Sequence, residues 1–132
     1  MEHIILWGIV KKWEIYYVGL NPTKGSEQKG IRPILVISND AVNDNLPVFT
    51  CIPFSSLKPG SKIYPTEIYL CTKDSGLPKD SVLMLQQMCT LSMDRISWDK
   101  IGEIKDDIIK AKIKQALLTF FELDWCSCAH EL

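Results

Sequence analysis

The sequence predicts a mainly β protein with some α, a small antiparallel barrel followed by one amphipathic helix. Two observations carry this. Short runs rich in β-branched and aromatic residues, punctuated by turn formers, fill most of the chain. Helical periodicity takes over only near the end, where Ile104, Ile108, Ile109, Ile113, Ala116, Leu117, Phe120 and Phe121 recur every three to four residues.

Taken in order, the run Ile4 to Val10 is apolar but much shorter than a membrane span. Neither a basic leader nor a small-residue cleavage site accompanies it, so it reads as an extra strand or packing arm, with no membrane partner. Strands are expected at Ile15 to Leu20, Arg32 to Ser38, Val48 to Ile52, Thr66 to Leu70 and Ser81 to Leu85. The first two are joined by Asn21 to Gly30, a polar connection longer than a tight hairpin and of the kind that often carries function. Ser92 can cap a short helix to Ile96, with Asp94 in its first turn. In the final helix Lys105, Asp106, Lys110, Lys112 and Lys114 cover the surface away from the apolar stripe, which is expected to pack on the barrel.

With 132 residues, 46% of them hydrophobic, the chain supports one buried core and one domain, with 1–10 as an arm and 122–132 as a tail. Its net charge is only −1, so any nucleic-acid site must be a local cationic patch. The five cysteines, Cys51, Cys71, Cys89, Cys126 and Cys128, contain no C-x-x-C pair and read as reduced cytosolic thiols. Cys126, Cys128 and His130 make a poor metal site on a terminal tail, so no metal or other cofactor is expected. His3 and His130 sit at opposite ends, which argues against a two-histidine nuclease.

The stretch LNPTKGSEQKGIRPILVISND, Leu20 to Asp40, closely resembles the first motif of the MazF/PemK toxins. Cys51-Ile52-Pro53-Phe54-Ser55-Ser56, Leu77-Pro78-Lys79-Asp80-Ser81-Val82 and Lys100-Ile101-Gly102 agree with the family in order and spacing, so the resemblance spans about Lys11 to Phe121. It implies an SH3-like, partly open barrel, dimeric and cytoplasmic. It also implies a messenger-RNA interferase, an endoribonuclease that cuts single-stranded RNA without a metal. The ribose 2′-hydroxyl attacks the adjacent phosphate, leaving a 2′,3′-cyclic phosphate and a 5′-hydroxyl.

Carried onto this chain, the resemblance makes Arg32 and Ser55 the catalytic pair, with Ser55 where threonine is usual. A guanidinium forks onto phosphate oxygens, and a serine hydroxyl donates as threonine would. Arg32 is assigned first to charge stabilisation, since its high pKa resists a full proton transfer. Lys24 and Lys29 are expected to contact phosphates, and Glu27 and Gln28 to border the RNA groove. Phe54, with Tyr16 or Tyr17, can offer a ring to a base, Ser56 adjoins the pair, and Gln86 and Gln87 can hydrogen-bond to base edges.

Two departures stand out. Gln86 and Cys89 occupy positions that commonly hold an acid and an arginine, and Trp13-Glu14 stands where relatives carry glycine and aspartate. The first change favours a rival reading, a weakened or inactive relative that only binds antitoxin. Trp13 is expected to be tied to the arm that carries Trp7. The implied antitoxin lays an acidic, partly disordered segment along the groove, and operator DNA is bound only through that complex. A gyrase inhibitor of related fold is a more distant alternative, which the intact loop from Gly25 to Arg32 argues against. Leu83, Leu85 and Met88 suit either a dimer interface or the barrel interior.

Overall fold

The computed structural model describes residues 10–20 and 30–123. Seven antiparallel strands make one curled sheet: β1 (Glu14–Leu20), β2 (Gly30–Val36), β3 (Val48–Ser56), β4 (Glu67–Leu70), β5 (Ser81–Met84), β6 (Cys89–Ser92) and β7 (Ile96–Glu103). Their order is β4-β5-β3-β2-β1-β7, with β6 added on β3. Short helices α1 (Asp40–Asn45) and α2 (Thr72–Ser75) sit between strands, and α3 (Asp107–Phe120) ends the described chain. The result is the expected mixed α+β half-barrel with a C-terminal helix.

Curling depends on β3. Its outer edge pairs with β6 over Val48–Cys51 and then with β5 over Phe54–Ser56, so one edge serves two partner strands in turn. Pro53, which has no N–H to donate, falls at the switch between those partners. Placing it there lets β3 run past the proline to Ser56, four residues beyond the predicted end.

The central strands are buried on both faces, which explains their nearly continuous apolar runs. Ile15, Leu35, Ile52 and Phe54 join Leu83, Leu85, Ile104 and Ile113 in one cluster, against which Ile109, Ala116 and Leu117 of α3 pack. Alternate residues Tyr16, Val18, Ile34, Val36, Phe49 and Cys51 form a second cluster with Val10 and Met93. Burying the rings of Phe49 and Phe54 stabilises the fold by about 1.5–3 kcal/mol each. Leu83 and Leu85 fill this interior, and Met88 packs against it half-buried.

Three expectations need correction. Ser92 does not cap a helix: its hydroxyl donates to the Asp94 carboxylate, 2.8 Å away, and only a 3-10 turn, Met93–Arg95, follows. Strands β6 and β7 were not expected; β6 has four residues, and β7 is a largely polar edge strand with register shifts against β1. The apolar stripe of α3 is narrower than predicted, since Ile108 is 73% exposed and Phe121 51%. Phe120 likewise stays outside the core, meeting Phe121 edge-on with ring centroids 5.1 Å apart.

The expected tie of Trp13 to the arm that carries Trp7 falls outside the described residues, but Trp13 itself is described. Its φ of 78° lies in the left-handed region that favours glycine, the residue seen there in the resembling family. Its backbone joins two strands, with the N–H donating to Val36 O and the carbonyl accepting from Ile104 N, both at 2.9 Å. The ring packs against the first cluster, with Lys12 and Lys110 ammonium groups 5.1 and 5.5 Å from its centroid. These contacts hold it on the body of the fold; Trp7 lies outside the described residues.

Candidate functional site

A cleft of about 370 Å³ opens where β2, β3 and the segment leading into β5 meet. Tyr17, Ile31, Arg32, Ser55, Ser56, Lys58, Lys79 and Ser81 are among its lining residues. The β2–β3 ladder pairs Leu35 with Ile52 and Ile34 with Pro53. Continued two residues past its last pair, that register sets Arg32 opposite Ser55. Arg32 and Ser55, from two separate motif segments, therefore face one space because β2 and β3 are antiparallel neighbours.

Electrostatically the cleft is one-signed. Arg32, Lys58 and Lys79 line it, and among the described residues no aspartate or glutamate does. Arg32 is half-buried, and no ion pair among the described residues occupies it. This is the local cationic patch that the net charge of −1 requires. Partial withdrawal from water strengthens its pull on an anion compared with a fully solvated arginine.

The wall carrying Lys79 is fixed by the residue beside it. The Asp80 carboxylate accepts from Thr72 N and the Tyr69 hydroxyl, both at 3.0 Å, while its carbonyl accepts from Leu57 N. The far end of the resembling stretch is also structural. Asn39 caps α1 by accepting from Val42 N, and Ser38 bridges β2 to β3 by accepting from Thr50 N at 2.9 Å.

Of the residues picked from sequence, Arg32, Ser55 and Ser56 come together in the cleft. Phe54 borders it but is only 1% exposed, because its ring belongs to the core; it cannot stack on a base without leaving that core. Tyr16 is likewise buried, and burial with its bond to Glu14 holds the hydroxyl protonated well above the ordinary range. Tyr17, on the other face of β1, is the ring that lines the cleft.

Gln86 and Gln87 do not line it. Gln86 instead accepts from the Thr66 hydroxyl at 2.8 Å and donates to Glu67 at 2.9 Å, so its amide is occupied. Lys24, Glu27, Gln28 and Lys29 lie outside the described residues, as do Cys126, Cys128 and both histidines. Lys58 and Lys79 were missed from sequence. Nothing local distinguishes them from solvated lysines; only the β3–β5 pairing brings them to Arg32.

Cys89, the position that differs from the family arginine, packs toward Cys51 in the second cluster rather than into the cleft. Both departures in that segment therefore sit outside the Arg32–Ser55 space. Among the described residues no group of three or more histidine, cysteine or acidic side chains could hold a metal, and no helix is long and apolar enough to cross a membrane.

Comparison with known proteins agrees with this arrangement. The chain is 36% identical over 109 residues to Endoribonuclease EndoA of Bacillus subtilis (strain 168), covering 83% of this chain and 91% of that protein. Solved structures share the fold at lower identity. Toxin MazF-mt6 of Mycobacterium tuberculosis gives a TM-score of 0.67 at 21% identity, over 85% of this chain and 99% of its own. A MazE-MazF crystal structure from Deinococcus radiodurans gives 0.69 at 21%, over 88% and 99%. The family model for the PemK-like, MazF-like toxin of type II toxin-antitoxin systems matches residues 11–121. With the cleft, the curled sheet and the motif from Leu20 to Asp40 all within that span, the chain belongs to the PemK-like, MazF-like toxin family.

Proposed function

We propose that this toxin is an endoribonuclease that cuts single-stranded RNA in the Arg32–Ser55 cleft. The observation that supports it best is that both residues line one cationic cleft, carried there by the neighbouring strands β2 and β3. The 36% identical relative is named an endoribonuclease, which points the same way.

Cleavage needs the 2′-proton removed, the extra charge on phosphorus stabilised and the leaving 5′-oxygen protonated. Arg32 stabilises the charge through its fork of donors and Ser55 donates a hydrogen bond to a non-bridging or leaving oxygen, while the 2′-proton passes to solvent water and water returns one to the 5′-oxygen as the P–O5′ bond breaks. Lys58 and Lys79 hold neighbouring phosphates, and Tyr17, one of the three rings offered by the sequence, supplies the stacking face. The described lining contains no histidine or carboxylate, so preorganised positive charge carries most of the rate. No metal takes part.

The same features fit an antitoxin. A positive cleft with the exposed apolar side chain of Ile31 at its rim suits an acidic, partly disordered segment that competes with RNA. A solved structure of the same fold is of an endoribonuclease in complex with its cognate antitoxin from a mycobacterial species. The toxin acts in the cytoplasm as a homodimer and meets operator DNA only through the antitoxin complex. The rival reading, an inactive antitoxin binder, loses support because the Gln86 and Cys89 departures lie outside the cleft.

Incubating purified protein with a long single-stranded RNA in a chelator tests the proposal. Discrete fragments are expected, bearing cyclic phosphate and 5′-hydroxyl ends, and they should vanish with Arg32→Ala. RNA left intact by a protein that still binds antitoxin tightly would leave the inactive-binder reading standing.

A further inference from the structure

Cys51 on β3 and Cys89 at the start of β6 are direct partners across an antiparallel ladder. Their alternation can be read from neighbouring bonds. Met93 N donates to Pro47 O, making that flanking pair hydrogen-bonded, so the pairs 49/91 and 51/89 are also of that type. Thr50 and Thr90, the intervening close pair, bring their hydroxyls to 2.7 Å. Cα atoms of a hydrogen-bonded pair are about 5.5 Å apart, within the 4.4–6.8 Å range for disulfides. Their Cβ atoms must close by roughly 1–2 Å, which makes the bond strained and easily reduced.

Both thiols lie on the same face, in the second apolar cluster, yet their surroundings differ. Cys51 is fully buried. Cys89 is half-buried at the first position of a four-residue strand, where the backbone has room to tilt. The neighbouring Cys89 thiol and burial push the Cys51 thiol up, while the Cys51 neighbour and the Arg95 charge hold the Cys89 thiol below its ordinary value against its own partial burial. Cys71, by contrast, donates to Asp74 on another element.

We propose that Cys89 and Cys51 form a peroxide-oxidisable cross-strand dithiol, with Cys89 attacked first and Cys51 resolving it. Cys89 thiolate takes the terminal oxygen of a hydroperoxide, becoming a sulfenic acid and releasing hydroxide or alkoxide. The Cys51 sulfur then attacks that sulfur, forming the S–S bond, while the Cys51 proton leaves with the displaced hydroxide as water. Two thiols lose two electrons and the peroxide gains them. The pair is independent of the RNA-cleavage reading, since neither thiol lines the cleft.

The test treats the reduced full-length protein with hydrogen peroxide, blocks remaining thiols by alkylation under denaturing conditions, and maps peptides by mass spectrometry. A Cys51–Cys89 linked peptide is expected, lost on adding dithiothreitol and absent in Cys89→Ser. Cys51 recovered fully alkylated beside a Cys89 oxidised alone, or both recovered as thiols, would overturn the proposal. Circular dichroism of the wild-type protein before and after treatment ensures that the link forms in the folded chain; a link seen only after unfolding also counts against it.

Discussion

Lys110 of α3 places its ammonium 5.5 Å from the centre of the Trp13 ring, tying the last helix to the turn that opens the first strand. Trp13 makes this contact from a left-handed backbone, which costs a non-glycine residue about 1–2 kcal/mol. The ring contacts offset that cost. Trp13→Ala keeps the strain and loses the ring, whereas Trp13→Gly loses both. Denaturant unfolding should therefore rank wild type above Trp13→Gly, and Trp13→Gly about 1 kcal/mol above Trp13→Ala, the reverse of the usual preference. An alanine variant as stable as the glycine variant would contradict the account.

Gly102 makes a different demand. A Cβ at this position would lie 2.5 Å from the Ser75 carbonyl oxygen, where β7 passes α2. Backbone cannot move aside as a flexible side chain can. Gly102→Ala is expected to lower stability by about 1–3 kcal/mol, read from the shift in urea midpoint at constant slope.

Asn43 is fully buried and satisfied. It accepts from the Ser38 hydroxyl at 2.6 Å and donates to Ser38 O at 2.9 Å, anchoring the hydroxyl that receives Thr50 N. Asn43→Ala strips these partners from polar groups inside the fold. A loss of about 1–3 kcal/mol is expected by thermal or chemical unfolding, and a change under about 0.5 kcal/mol would show that water replaces the amide freely.

Lys58 and Lys79 should act as phosphate contacts. Removing either should weaken RNA binding for all sequences alike and reduce the slope of log affinity against log salt by about 0.7. Fluorescence anisotropy with an uncleavable 2′-deoxy oligonucleotide measures this at several salt concentrations. Unchanged slopes would remove both lysines from the site.

How far the sequence carried the reading depends on how local each signal was. Strands β1 to β5 were legible because their apolar runs are dense, and α3 because Ile109, Ile113, Ala116 and Leu117 keep one phase. Strands β6 and β7 were not, since a short strand and a polar edge strand carry little periodicity. In the site, Arg32 and Ser55 were found by motif, and pairing across β2 and β3 then explained their meeting. Phe54 was offered as a stacking ring because it adjoins Ser55 in the motif, but strand alternation turns its ring inward. Lys58 and Lys79 needed the fold, as did the diversion of Gln86 to Glu67.

The most direct test of RNA cleavage at the Arg32–Ser55 cleft is single-turnover cutting of an oligonucleotide bearing the mapped site, in chelator, with ribose or 2′-deoxyribose at the scissile position. The ribose substrate should be cut to cyclic phosphate and 5′-hydroxyl ends, slowed by about 100-fold or more in Arg32→Ala, and the deoxy substrate should stay intact. Cutting of the deoxy substrate, or a folded Arg32→Ala protein working at the wild-type rate, would contradict it.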